Sequence, residues 1–347
     1  MNRKKPSIFA AFLVLSGTLF TCGNPMIQDE YERIGGMGDT KTYSIASPED
    51  VKKIETHPDG TFLITSDEDL ELSAPIADFR GRIQGAGNGK LLVSGMFCLK
   101  ANGASFRDIT FKQNGSVPRG QAIIGMVAGE AVDTSFINVK LEGALSSNRT
   151  GDENVIIGAI AGKVDGASTI ERCASFSDVT ISVSAAQTIK AGGIVGLLNG
   201  GSIKYSYSHS AINLVATSTI EAGGFTAENR GEITDSYYAS GTGLSGSQMD
   251  NAPAQLFSYT ALNIGTIKNS YSHANGTNER WGQTSAGTND NCLDQQGGST
   301  SSYLSSDATY ATFISSNPES QWILAGMTSS GPFARLINNP DSLASGW

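Results

Sequence analysis

Residues 191–238 say the same thing twice. The first copy reads Ala191-Gly192-Gly193-Ile194-Val195-Gly196, then Asn199-Gly200-Gly201-Ser202-Ile203, then Ser206-Tyr207. The second reads Ala222-Gly223-Gly224-Phe225, then Asn229-Arg230-Gly231-Glu232-Ile233, then Ser236-Tyr237. A glycine pair, a short apolar step, an Asn-x-Gly-x-Ile turn and a Ser-Tyr follow in the same order. Repetition at a few tens of residues is the mark of a solenoid, whose coils bury their apolar faces only by stacking on one another.

Working outward, the coils align on an apolar residue of the turn: Phe106, Val132, Ile170, Ile203, Ile233 and Ile267. Three residues beyond each stand Ile109, Ser135, Cys173, Ser206, Ser236 and Ser270, so Cys173 is read as buried packing in a small-residue slot. Upstream, Gly125-Met126-Val127-Ala128-Gly129, Gly158-Ala159-Ile160-Ala161-Gly162 and Gly193-Ile194-Val195-Gly196 alternate small and apolar residues, as a tight strand corner requires. Longer spacings hold insertions such as 146–154, expected on one edge. Strands joined by turns, once per coil, predict an all-β fold: a right-handed parallel β-helix, with about six coils legible. The structural repeat positions are Gly193, Gly196, Ile203, Ser206, Gly224, Ile233, Ser236, Ile267 and Ser270.

Composition agrees. The chain has 347 residues with 41 glycines and only 16% charged residues, a balance that suits short strands and tight turns. Net charge is −9, and no Lys/Arg block follows the first few residues, which argues against nucleic acid as a partner. At the front, Arg3-Lys4-Lys5 precedes an apolar run over 8–20, the layout of a signal peptide over 1–21. The run ends Leu19-Phe20-Thr21-Cys22, which resembles a bacterial lipobox and implies lipidation of Cys22. The other cysteines, Cys98, Cys173 and Cys292, are odd in number and irregular in spacing, so neither a disulfide framework nor a zinc site is expected.

Residues 22–42 read as a lipidated tether, and 43–347 as the β-helix domain. Ser47-Pro48-Glu49-Asp50 is a helix start, with Val51 and Ile54 as its apolar stripe and His57-Pro58-Asp59-Gly60 as its stop. This short N-terminal helix is expected to cap the first coil. Strands follow at 61–65, 70–72, 76–83 and 91–93. A closing segment, 299–347, is expected to cap the other end, and the clearest repeats fill 191–275.

With these motifs in hand, the chain resembles the GLUG-motif repeat family of bacterial exported and surface lipoproteins. Residues 192–207, 223–237 and 263–271 match best, with degenerate units at 125–136 and 158–173. The front is similar too, in Phe62-Leu63-Ile64-Thr65-Ser66-Asp67-Glu68-Asp69-Leu70 and the glycine-rich turn over 81–89, as is the tail with Phe313, Trp322, Pro332 and Leu336. The resemblance covers about 47–336. It implies a cell-surface or outer-membrane protein and marks a fold rather than an activity.

Few residues carry a chemical signature. Asp67 and Asp69 share a strand edge, but turn hydrogen bonding is the expected role. Asp108, Glu171 and Asp235 read as falling in different registers. His209 and His273 occupy one slot in coils separated by another, about 10 Å apart at the strand spacing, too far to share a metal, and are read as edge residues. Tyr205, Tyr207, Tyr237, Tyr238 and Tyr271 are expected to pack inside or at turns, ahead of an exposed aromatic ladder. His-Glu-x-x-His, a Walker loop and Gly-x-Ser-x-Gly are all missing from the sequence. The expectation is therefore a non-enzymatic surface lipoprotein without catalytic residues, cofactor or metal. It would be held at the membrane by its lipid and act as an adhesin or display module toward a glycan or protein ligand. A carbohydrate-active enzyme on the same fold and a structural surface component are the alternatives.

Overall fold

A computed structural model describes residues 41–117, 120–148, 153–175 and 179–240, and shorter stretches at 244–248, 255–257, 259–268, 270–274, 283–284, 287–290, 292–294, 322–324 and 334–336. The signal peptide, Cys22 and all but the end of the tether lie outside the described residues. So does most of the closing segment, where Trp322–Leu324 pairs antiparallel with Ala334–Leu336.

The body is a parallel β-solenoid of about five full turns. Each coil visits three faces. Face one holds Ile123–Gly125, Asn154–Gly158, Thr180–Gly192 and Ala211–Gly223. Face two holds Ile76–Phe79, Cys98–Asn102, Ala128–Val132, Ala161–Asp165, Val195–Leu198, Thr226–Asn229 and Thr260–Asn263. Face three is the tallest, running from Thr42–Ile45 through Ser105–Gln113, Ser135–Glu142, Ser202–Lys204 and Glu232–Thr234 to Thr288–Asp290.

The corner from face one to face two needs glycine. Gly158, Gly192 and Gly223 stack in register at the ends of their strands, and a Cβ on Gly223 would run into the carbonyl oxygens of Thr226 and Tyr259. The bend within face three uses a left-handed residue two places after the anchor. Asp108, Asn138, Arg172, Tyr205 and Asp235 all have φ between 47 and 54°. Aspartate and asparagine tolerate that region; arginine and tyrosine hold it because the coils above and below determine the backbone.

Pairing on face three corrects one alignment. Ile170, Ile203, Ile233 and Ile267 do stack as one column, but Phe106 is followed by Phe136 rather than Val132. Val132 ends a face-two strand opposite Asp165. The second coil lacks the Asn-x-Gly turn and rounds its corner at Asp133-Thr134, with Asp133 at positive φ, so the anchor falls four residues later. The slot three beyond it therefore reads Ile109, Val139, Cys173, Ser206, Ser236, Ser270, and Ser135 leaves it. The column also continues upward through Ile83 and Phe62 to Tyr43, in shorter coils.

The core changes character along the axis. Near the first coils it is aromatic: Phe62, Phe79, Phe97, Phe106, Phe111 and Phe136 are fully buried, with Phe106 and Phe136 stacked at 5.3 Å. Further on, buried hydroxyls and amides join Val and Ile. Ser206, Ser236 and Ser270 form a ladder in which each hydroxyl donates to the carbonyl two residues before it (2.8–2.9 Å). Each also accepts an N–H from the coil before, from Cys173 (3.1 Å), Ser206 (3.2 Å) and Ser236 (3.4 Å). Asn229, Asn263 and Asn289 form a second ladder, Nδ2 to Oδ1 at 2.8 and 2.7 Å. Asn199, which matches Asn229 in the motif, stands outside it. Leu198 holds the register position opposite Asn229, and the turn 199–201, one residue longer than 230–231, leaves Asn199 exposed.

The short helix, Pro48–Asp50 continuing as Val51–Thr56, buries Val51 and Ile54. The Asp50 carboxylate accepts the Ser47 N–H, and Lys53 beside it brings its pKa down to about 2. On face two, Asp78, Lys100, Glu130 and Lys163 occupy one outward column on successive coils, alternating in sign.

Candidate functional site

The repeat positions singled out above are brought together by stacking, and they make a scaffold rather than a site. Ile203, Ile233 and Ile267 fill one core column, Ser206, Ser236 and Ser270 the ladder beside it, and Gly193, Gly196 and Gly224 the corner and the strand after it. Cys173 is fully buried, and burial raises its thiol to about 12, which makes it inert packing.

The carboxylates also serve structure. Asp67 Oδ1 accepts the Asn88 N–H at 3.1 Å, and Asp69 Oδ1 accepts the Lys90 N–H at 3.3 Å, so both pin the turn of the next coil. Asp108 and Asp235 do share a register, the left-handed column, but four coils apart, roughly 19 Å at the strand spacing. That is too far to straddle a scissile bond. Glu228 is buried and charged. Burial pushes its pKa up, but Lys190 at 2.6 Å and Arg230 outweigh this and hold it below the ordinary carboxylate value. A carboxylate so locked is a poor general acid at neutral pH. Among the described residues no three His, Cys, Asp or Glu side chains gather as a metal site.

The histidine reading changes. His209 is buried, not at an edge: its Nε2 lies 3.0 Å from the Tyr237 hydroxyl, and its ring meets Tyr207 and Tyr237 edge-on at 5.4 Å. Tyr207 and Tyr237 stack at 5.2 Å and are buried, and Tyr238 lies in the core, so these three tyrosines form no exposed ladder. The side chain of His273 lies outside what the structure describes.

One concavity does stand out, on the part of face one that precedes the corner strands. Leu145–Asn148 pairs with the first half of Thr180–Gly192, which pairs with Ala211–Gly223 and that with Leu244–Gln248. The register shifts between Val183 and Ala186, a bulge that bends the strand. Beside the bend lies a cavity of about 630 Å³, a size suited to a small ligand or a short polymer segment. Its polar wall is Ser146, Ser182, Asn213 and Ser245 in one column, with Asn148 and Ser247 in the column two residues on. Val215, half-buried in that second column, supplies apolar surface, and Val117, Val183 and Leu214 are core side chains behind the wall. Among the described residues, no acidic, basic or aromatic side chain lines it.

Sequence reasoning passed over this groove, although the signal was present. Leu145-Ser-Ser-Asn, Ile181-Ser-Val-Ser, Ile212-Asn-Leu-Val and Leu244-Ser-Gly-Ser repeat an apolar residue followed by Ser or Asn. The insertion over 146–154 begins there, where the repeat is broken. No protein-family model matches the chain, and no curated protein matches it in sequence.

Proposed function

We propose that the chain is an exported lipoprotein, anchored through Cys22 at the outer membrane or cell surface, that works as a non-catalytic binding module. The observation behind this is the make-up of the groove: hydroxyls, amides and aliphatic carbons offer recognition, and among its described lining residues no group transfers a proton near pH 7. The leader and lipobox-like Cys22 support the address, and kinship with GLUG-motif surface proteins is part of the same reading. A solenoid of stacked coils suits display, because its loops and faces recur along one axis.

Two measurements test this. Mass spectrometry of the mature N-terminus should find a diacylated or triacylated Cys22; an unmodified residue at another position would refute the anchor. Incubation with neutral and acidic polysaccharides should leave chain lengths unchanged. Depolymerisation abolished by Asp67→Asn or Asp69→Asn in a folded protein would establish the enzyme reading instead.

A further inference from the structure

We propose that the face-one groove binds an uncharged, linear glycan lying along the solenoid axis, with successive sugar units meeting successive coils. This rests on the binding-module reading and gives it a ligand class. The groove is periodic. Ser146, Ser182, Asn213 and Ser245 repeat one column over four coils, so like groups recur every ~4.8 Å along the groove. A ligand that satisfies them all must itself repeat at nearly that interval. One sugar ring with its glycosidic oxygen is about one coil long, and a glycan chain presents hydroxyls at each step.

Its chemistry also matches a glycan. Hydroxyl and amide groups both donate and accept, as sugar hydroxyls do, and half-buried Val215, in register with Ser247, offers apolar surface to the C–H faces of the rings. The Ser245 hydroxyl donates to Asn213 Oδ1 at 2.6 Å, which leaves the Asn213 amide N–H groups to donate outward from an exposed side chain. Among the described residues, the lining carries no cation to neutralise a polyanion and no anion to hold a polycation.

An extended peptide cannot add here as a strand. The groove lies on the face of a parallel ladder, where main-chain N–H and C=O groups are already paired coil to coil. Recognition falls to side chains, and their repeat is that of a homopolymer.

The test is affinity electrophoresis and calorimetry of the mature full-length protein. The probes are neutral linear glucans, mannans and xylans, polygalacturonate and heparin as polyanions, and a Ser/Gly-rich extended peptide. At least one neutral glycan should bind, and in its oligosaccharide series affinity should rise up to about four units and then level off. Asn213→Ala and Ser182→Lys sit on the surface, so both variants should fold, as circular dichroism and melting will verify. Asn213→Ala should weaken binding roughly fivefold to tenfold, the size of one or two lost hydrogen bonds. Ser182→Lys should weaken it at least as much by obstruction, while Lys268→Ala, on face three, should leave it unchanged. Three results would each overturn the glycan assignment. They are no neutral glycan bound, polyanion or peptide bound more tightly than any glycan, or glycan binding indifferent to Asn213→Ala and Ser182→Lys. Polyanion or peptide binding that both substitutions abolish would leave the binding-module reading standing; glycan cleavage would remove that reading as well.

Discussion

His209 makes the folded protein sensitive to acid in a way that can be calculated. Its imidazole is enclosed by Tyr207 and Tyr237, and burial pushes its pKa from 6.5 down to about 3. In the unfolded chain it titrates near 6.5. Between those values the unfolded state binds a proton that the folded state refuses, so stability falls as pH drops below 6.5, and the loss stops growing near pH 3. At pH 5 the unfolded side chain lies 1.5 units below its pKa while the folded one is still neutral. At 1.36 kcal/mol per unit, the loss is about 2 kcal/mol. Carboxylates also titrate toward the bottom of this range, so the measurement is a difference. Urea unfolding at pH 7 and pH 5 is compared for the wild type and His209→Gln, whose amide can reach the Tyr237 hydroxyl without carrying a proton. The wild type should lose about 2 kcal/mol more than the variant over this interval. Equal losses would mean that His209 gains its proton in the folded state, and the reasoning from burial would fail.

Three further outcomes follow from the scaffold. Gly223→Ala should destabilise by roughly 3 kcal/mol, because its Cβ meets backbone of two strands, whereas Gly103→Ala, at φ +66° with open space around it, should cost only about 1 kcal/mol; chemical denaturation separates the two. Ser236→Ala should cost about 1–3 kcal/mol by removing the acceptor of the Ser206 N–H, and Ser236→Cys should recover part of this, since Cys173 fills the same slot and donates to the Glu171 carbonyl. In a protein with Cys22 and Cys292 changed to serine, Cys98 and Cys173 should ignore a thiol reagent when native and react when unfolded. Both are buried, and burial raises both thiols.

The solenoid was readable because each coil repeats a local solution: a corner where only glycine fits, a serine that closes a bend, an isoleucine that fills the core. The two later coils that match best in sequence do stack as their motif suggests. What eluded the sequence had other physics. Val132 looked like an anchor because spacing alone cannot say which side of a corner an apolar residue lies on. Asn199 and Asn229 match in the motif but differ in register, because one extra glycine step turns a side chain from core to solvent. His209 looked like a surface residue because its type is usually exposed, yet coils that bury serine and asparagine ladders also offer a tyrosine hydroxyl to imidazole. The groove escaped notice because it needs four coils in register and a bulge, and single residues such as Ser182 or Asn213 carry no chemical signature of their own.

The alternating charges on face two have a consequence for assembly. A chain of similar coils risks stacking in the wrong order, with one coil looped out and its neighbours joined across the gap. Here such an omission is penalised wherever it happens in the first part of the rod. Leaving out the coil of Lys100 would set Asp78 against Glu130, and leaving out that of Glu130 would set Lys100 against Lys163. Like charges directly opposite on neighbouring strands repel. The column thus acts as a parity check on the order of coils, written in side chains that the finished structure scarcely needs for its stability.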